Sequence, residues 1–185
     1  MSLTPSNMIP LGIPAPDFNL RDTVSDKSIS LNEVRGQLAT VVMFVSNHCP
    51  YVQHVNPELV RLANEYLDKG VRFVAISSND VVTHPDDSPV KMKELAARLR
   101  YPFPYLYDET QQVAKAYDAA CTPDFYVFDK ELKLVYRGQL DDSRPSNNVP
   151  LSGKDVREAL DCLVAGKAVS PRQRPSIGCN IKWKE

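Results

Sequence analysis

Val41-Val42-Met43-Phe44-Val45-Ser46-Asn47-His48-Cys49-Pro50-Tyr51 carries five apolar residues straight into a polar turn and sets a cysteine at the head of the next segment. The unbroken, valine-rich run predicts a central strand, Thr40 to Val45, buried on both faces. Downstream, Val52, Val55, Leu59, Leu62, Ala63 and Tyr66 recur at helical spacing and predict one apolar helix face. Cys49 therefore stands at a strand-to-helix junction. Unpaired N–H groups and the positive end of the helix dipole favour a thiolate there. This setting distinguishes Cys49 from the buried, inert cysteine common in protein cores.

The rest of the composition narrows the function. The chain has 185 residues, 43% of them hydrophobic, which suits one domain with a sizeable core. The formal net charge is −1, from 22 basic and 23 acidic residues, so neither nucleic acid nor an anionic membrane surface is expected as a partner. No apolar run approaches the roughly 18 residues of a membrane span. Met1 to Pro10 has neither a basic start nor an apolar centre, so no secretory signal is expected in it. Cys49, Cys121, Cys162 and Cys179 are too few and too scattered for a disulfide framework, and a cytoplasmic setting with reduced thiols is expected.

Four prolines make residues 1–16 an extended arm. Asp17 to Leu20 and Ser28 to Leu31 read as a hairpin, followed by a short turn capped by Asn32 and closed by Gly36. The helix after Cys49 contains Pro57. A kink is expected there, rather than a second helix capped by Asn56, because the apolar face stays in register. Gly70 ends it. Val71 to Ser77 is a strand parallel to the first. A polar loop, Thr83 to Pro89, leads to a helix over Pro89–Leu99 with Val90, Met92, Leu95, Ala96 and Leu99 as its apolar positions. Tyr101 to Tyr107, broken by Pro102 and Pro104, is at most a short extended piece. Asp108 caps a helix over Thr110–Tyr117. Phe125–Phe128 and Leu132–Gln139 form a hairpin. Ser152-Gly153-Lys154-Asp155 resembles a capping box opening a helix to about Val164. The tail, Ser170 to Glu185, holds the only tryptophan, Trp183, and no assigned element.

Ser46-Asn47-His48-Cys49-Pro50 resembles the thioredoxin active-site turn C-x-x-C-P with serine in place of the first cysteine. It is most similar to a redoxin subgroup whose turn reads C-N-H-C-P-Y-V. It also resembles the T/S-x-x-C core of peroxiredoxins. From about residue 9 onward the chain resembles the redoxin (AhpC/TSA) group of thioredoxin-like proteins. The resemblance implies an α/β fold: a thioredoxin-like three-layer sandwich with a central mixed β-sheet and an N-terminal β-hairpin extension. Residues 1–185 then form a single domain with the arm 1–16 and the tail 170–185. The implied activity is that of a thiol-dependent oxidoreductase, by thiol–disulfide exchange or peroxide reduction, with an antioxidant role in cell redox homeostasis. The implied partners are a disulfide or peroxide substrate and an external thiol reductant such as a thioredoxin or glutathione. No cofactor is implied.

The same resemblance assigns the site. Cys49 is the reactive thiol, although it matches the second, resolving cysteine of thioredoxins. Ser46 cannot take part in disulfide exchange, but its hydroxyl is expected to bond the Cys49 thiolate from the exposed end of the turn. Val42 stands where peroxiredoxins have a proline, and Thr40 where many thioredoxins have an acid. Thr122-Pro123 resembles the cis-proline whose preceding residue offers backbone to a bound peptide, and Asn47, His48 and Pro50 complete the substrate-binding set. Pro123 falls near the position of the peroxiredoxin arginine; Arg137 and Arg144 read as solvated. Cys121 and Cys179 are the candidate resolving thiols, and Cys162 reads as core. A metal at Cys49, Cys121, His48 or His54 is not expected, because thioredoxin-like copper chaperones space two cysteines four apart and this chain has no such pair. The alternative class is a redox-inactive thioredoxin-fold peptide-binding module. Of the four cysteines, Cys49 is expected to be the most readily alkylated.

Overall fold

In the computed structural model, which describes residues 3–185, the apolar run becomes the central strand β4 (Ala39–Phe44). In chain order the other elements are β1 (Leu3–Pro5), β2 (Asn19–Asp22), β3 (Ser28–Ser30), α1 (Pro50–Leu67), β5 (Val71–Ser77), α2 (Pro89–Leu99), β6 (Tyr105–Tyr107), α3 (Gln112–Ala116), β7 (Cys121–Thr122), β8 (Asp124–Asp129), β9 (Leu134–Gly138), α4 (Lys154–Val164) and β10 (Ile177–Asn180). Seven strands make one mixed sheet in the order β3-β2-β6-β5-β4-β8-β9. β4 runs parallel to β5 and antiparallel to β8.

Every residue of β4 is buried, because both faces of the sheet are covered. Alternation sends Val41 and Met43 to one layer, where Val45 joins them against Leu59, Leu62, Met92 and Leu160 from α1, α2 and α4. Val42 and Phe44 face the other layer, with Phe18, Leu31, Val113 and Tyr117 from the arm, hairpin and α3 region. Each such aliphatic side chain contributes roughly 1.5–3 kcal/mol by leaving water. This is the three-layer α/β sandwich with a mixed sheet that the resemblance implies. No helix among the described residues is long and apolar enough to cross a membrane.

α1 continues through Pro57 as one helix, as the register of its apolar face predicts. Asn56 is buried on that helix and accepts the Tyr101 hydroxyl at 2.7 Å. Other local readings differ from the structure. The turn after β3 is closed by Ser30 and Glu33, whose carboxylate accepts the Ser30 N–H at 2.8 Å, and not by Asn32. The start of α4 has no side-chain cap from Ser152. Instead the buried Asp141 accepts Ser152 N at 2.7 Å and Gly153 N at 2.6 Å from across the loop. Gly153 (φ +64°) is wedged against Glu58 and Leu62 of α1, where a Cβ would meet them at about 3.0 Å. Val90 is largely exposed on α2. Cys162 is only partly buried, beside the groove between α4 and the tail.

The largest departure is at the chain ends. β10 lies in a second, three-stranded sheet, antiparallel to β1 on one side and β7 on the other. The tail read as featureless is thus a strand, and it is pinned along its length. Ser176 Oγ donates to Pro123 O at 2.6 Å, Ile181 N to Ala120 O at 3.1 Å and Lys182 N to Asn79 Oδ1 at 2.8 Å. The arm supplies β1; its first two residues lie outside the described residues.

Candidate active site

β4 delivers the chain to the site, where Val45 N still bonds Ile76 O at 2.9 Å. Ser46 to His48 then turn, and α1 starts at Pro50, which needs no backbone donor at that position. Cys49 occupies the N-cap position with extended backbone (φ −72°, ψ 119°) and makes no side-chain cap bond. Its sulfur is free for other partners.

Those partners come from distant parts of the sequence. Cys179 Sγ lies 2.7 Å from Cys49 Sγ, and the Thr122 carbonyl oxygen lies 3.2 Å away. All four cysteines are free thiols, with Cys49, Cys121 and Cys179 buried. The two contacts at Cys49 pull in opposite directions: a thiol would donate to the carbonyl, whereas a thiolate accepts from the Cys179 S–H. The balance favours the thiolate. Donation from Cys179 is the largest effect and pulls Cys49 down to about 6, against burial and with help from Thr122. Cys179 is pushed far up, because it keeps the shared proton and is desolvated.

Backbone pairing sets this contact. Cys179 is in register with Thr122 and Asn180 with Cys121. The Thr122–Pro123 peptide is cis, as the resemblance implies. Gly178 presses flat on it: a Cβ there would stand 1.9 Å from Thr122 O. Only a residue without a side chain lets the strand approach this closely. The adjoining cavity, between Tyr51, His54, Pro123, Ser176 and Ile177, measures about 10 Å³, room for no more than a water.

The other expected site residues surround this pair. Ser46 is buried, not at an exposed end, and its hydroxyl pairs with Thr122 Oγ1 at 3.3 Å rather than with Cys49. Asn47 is spent on the turn: its N–H donates to Asp87, its amide N to Asp86 O at 2.9 Å, and its amide oxygen accepts the Tyr105 hydroxyl at 2.9 Å. His48 Nδ1 lies 2.5 Å from Asp87 Oδ2, and the ring stacks on His84 at 4.9 Å. The Asp87 hydrogen bond raises its pKa. Cys121 points its thiol toward Pro123 O at 3.8 Å. Burial, then the nearby Asp124, pushes its pKa far up, opposite to what a nucleophile needs. Arg137 and Arg144 are not free cations: Arg137 binds Ile9 O and Gln173, and Arg144 binds Asp141 O, Ser143 O and Gln139. His54 bonds Ser143 Oγ at 2.7 Å. Among the described residues, no three His, Cys, Asp or Glu side chains converge as a metal site would require.

Asp87 and Gly178 were not read from the sequence as site residues. The faint signals were an aspartate pair set between two prolines, and a glycine immediately before a tail cysteine.

Known proteins place this chain among relatives. The AhpC/TSA family model matches residues 11–137. An uncharacterized conserved protein of Geobacillus kaustophilus is 60% identical with TM-score 0.98, the match covering 100% of this chain and 97% of that one. The thiol-disulfide oxidoreductase ResA of Halalkalibacterium halodurans is 25% identical over 124 residues, 67% of this chain. The match spans 65% of that relative's length. The thioredoxin domain of a thiol-disulfide oxidoreductase from Bacteroides vulgatus shares the fold at 21% identity, with TM-score 0.60 over 74% of this chain and 90% of that one.

Proposed function

From the premise that this chain belongs to the AhpC/TSA family, we propose that it is a thiol–disulfide oxidoreductase whose redox couple is Cys49 and Cys179. The observation that carries this reading is the 2.7 Å approach of the two sulfurs, a contact that lowers the Cys49 pKa and raises that of Cys179. The role that thioredoxins divide within one turn is here divided between a helix start and the C-terminal strand.

The chemistry balances without a cofactor. Once β10 lifts to uncover it, the Cys49 thiolate attacks one sulfur of a substrate disulfide, the substrate S–S bond breaks, and the departing sulfur leaves as a thiolate. Cys179 loses its proton and attacks Cys49 Sγ. A Cys49–Cys179 disulfide forms and the second substrate thiol departs. Two protein thiols are oxidised and one substrate disulfide is reduced. An external dithiol of the thioredoxin kind, or two glutathione molecules, restores the starting state by the reverse exchange. Strand β10 already occupies the backbone edge of Thr122, which argues against a passive peptide-binding module. Arg137 and Arg144, the arginines in view for polarising a peroxide, are both engaged elsewhere. We place the reaction in the cytoplasm on the scattered, unpaired cysteines alone.

The test is turnover of a protein disulfide with a thiol donor, comparing parent and Cys179→Ser. The parent should turn over; the variant should stall as a mixed disulfide between Cys49 and substrate, visible by mass. Undiminished turnover by Cys179→Ser, or no turnover by the parent, would overturn the proposal.

A further inference from the structure

Asp87 lies in the polar loop Thr83 to Pro89, yet its side chain is fully buried. Oδ1 accepts the backbone N–H of Asn47 at 2.7 Å and of His48 at 3.2 Å. Oδ2 accepts Asn79 Nδ2 at 2.8 Å and stands 2.5 Å from His48 Nδ1. Three of these four donors belong to the two residues that lead into Cys49. An asparagine would satisfy the backbone donors as well. Burying an ionised carboxylate costs several kcal/mol unless it is paired, so the charge calls for a cationic partner, and His48 is the group in place.

We infer that Asp87 is a positioning residue acting through His48: it holds the imidazole by Nδ1, leaving Nε2 to exchange protons with the sulfurs reacting at Cys49. The inference rests on the exchange chemistry proposed above. In the first step the departing substrate thiolate takes the Nε2 proton from the imidazolium. In the second, the neutral Nε2 takes the Cys179 proton as that sulfur attacks Cys49. One proton is given and one recovered, so His48 ends each half-reaction cycle as it began.

The electrostatics agree with the geometry. Burial opposes the Asp87 charge, but bonds from His48 and Asn79 outweigh it and hold the carboxyl below its ordinary value. The titratable and charged groups around His48 are Asp87 from the loop, Lys182 from the tail and Cys49 from its own turn, with His84 of the loop stacked on its ring. His84 is lowered by burial first and then by the His48 cation, so a second positive charge on the stacked pair is disfavoured.

The experiment uses the full chain, as Asp87→Asn, His48→Gln and the double variant. Asp87→Asn should lower kcat at pH 7 at least tenfold with little change in KM, and should move the NMR titration of the His48 ring to lower pH. In the His48→Gln background the same substitution should change kcat less than twofold. Equal losses in both backgrounds, or an unmoved His48 titration, would overturn the inference. Should Asp87→Asn fail to fold, the parent decides alone: its His48 ring should titrate above the ordinary value of about 6.5, at the midpoint of the high-pH limb of kcat. A midpoint at or below that value overturns the inference. The NMR measurement needs no turnover, so an inactive parent would end the proposed function while the His48 titration still decided the role of Asp87.

Discussion

The backbone of Cys179 is paired in register with Thr122, and its sulfur stands 2.7 Å from that of Cys49. The two cysteines are 130 positions apart in sequence. The donor that most stabilises the Cys49 thiolate is therefore supplied by the tail and not by the turn around it. In Cys179→Ala the Cys49 thiolate, followed by ultraviolet absorbance against pH, should shift from a midpoint of about 6 toward the ordinary cysteine value of about 8.5. The sign follows from the proton: removing a donor to the thiolate favours the thiol, so reactivity at pH 7 falls. An unchanged midpoint would mean that the helix start alone sets the pKa.

Gly178→Ala tests the seat of the strand. The added methyl meets the Thr122 carbonyl, which is backbone and cannot swing away. Overpacking of this kind costs about 1–3 kcal/mol, equivalent to roughly a five- to 150-fold loss of the seated state. Formation of the Cys49–Cys179 disulfide should slow by a factor in that range. The core of the seven-stranded sheet should keep its hydrogen-exchange protection.

Alkylation of the reduced, native protein should mark Cys162 before Cys49. The sequence reading predicts the opposite order, because Cys162 falls among apolar residues and Cys49 follows a polar turn. In the structure Cys49 is sealed under β10, while Cys162 is partly exposed. Mass mapping at limiting reagent decides it. Cys49 should overtake Cys162 in Gly178→Ala if β10 is the cover.

Much of this site was legible. The strand–turn–helix around Cys49 declared itself because its signals are local: a long apolar run, then helical spacing. The cis Thr122–Pro123 bond followed from resemblance rather than from physics. β10 was not legible. Ser176-Ile177-Gly178-Cys179-Asn180 is too short to show alternation, and its partners Leu3–Pro5 and Cys121–Thr122 lie far away in sequence. Asp87 was hidden for a related reason: an acid in a polar loop reads as solvated until the fold carries it beneath the Asn47–His48 turn. Asp141 likewise holds the loop that leads into α4, accepting Ser152 N and Gly153 N from outside the helix, where no local motif shows it.

Asp141→Ala should expose that last point as stability. Three backbone donors lose their acceptor: Ser143 N at 2.8 Å, Ser152 N at 2.7 Å and Gly153 N at 2.6 Å. Leaving these buried donors unsatisfied should cost about 2–4 kcal/mol, read as a lowered denaturant midpoint at unchanged slope. A change under about 0.5 kcal/mol, usual for uninvolved surface sites, would mean the loop re-satisfies itself.

The central claim, that Cys49 and Cys179 are one redox couple, is tested most directly by oxidising the reduced protein with one equivalent of a small disulfide and mapping its disulfides by mass spectrometry. The account predicts a single new bond, Cys49–Cys179, with Cys121 and Cys162 left as thiols. A Cys49–Cys121 bond, or Cys49 persisting as a mixed disulfide while Cys179 stays reduced, would contradict it.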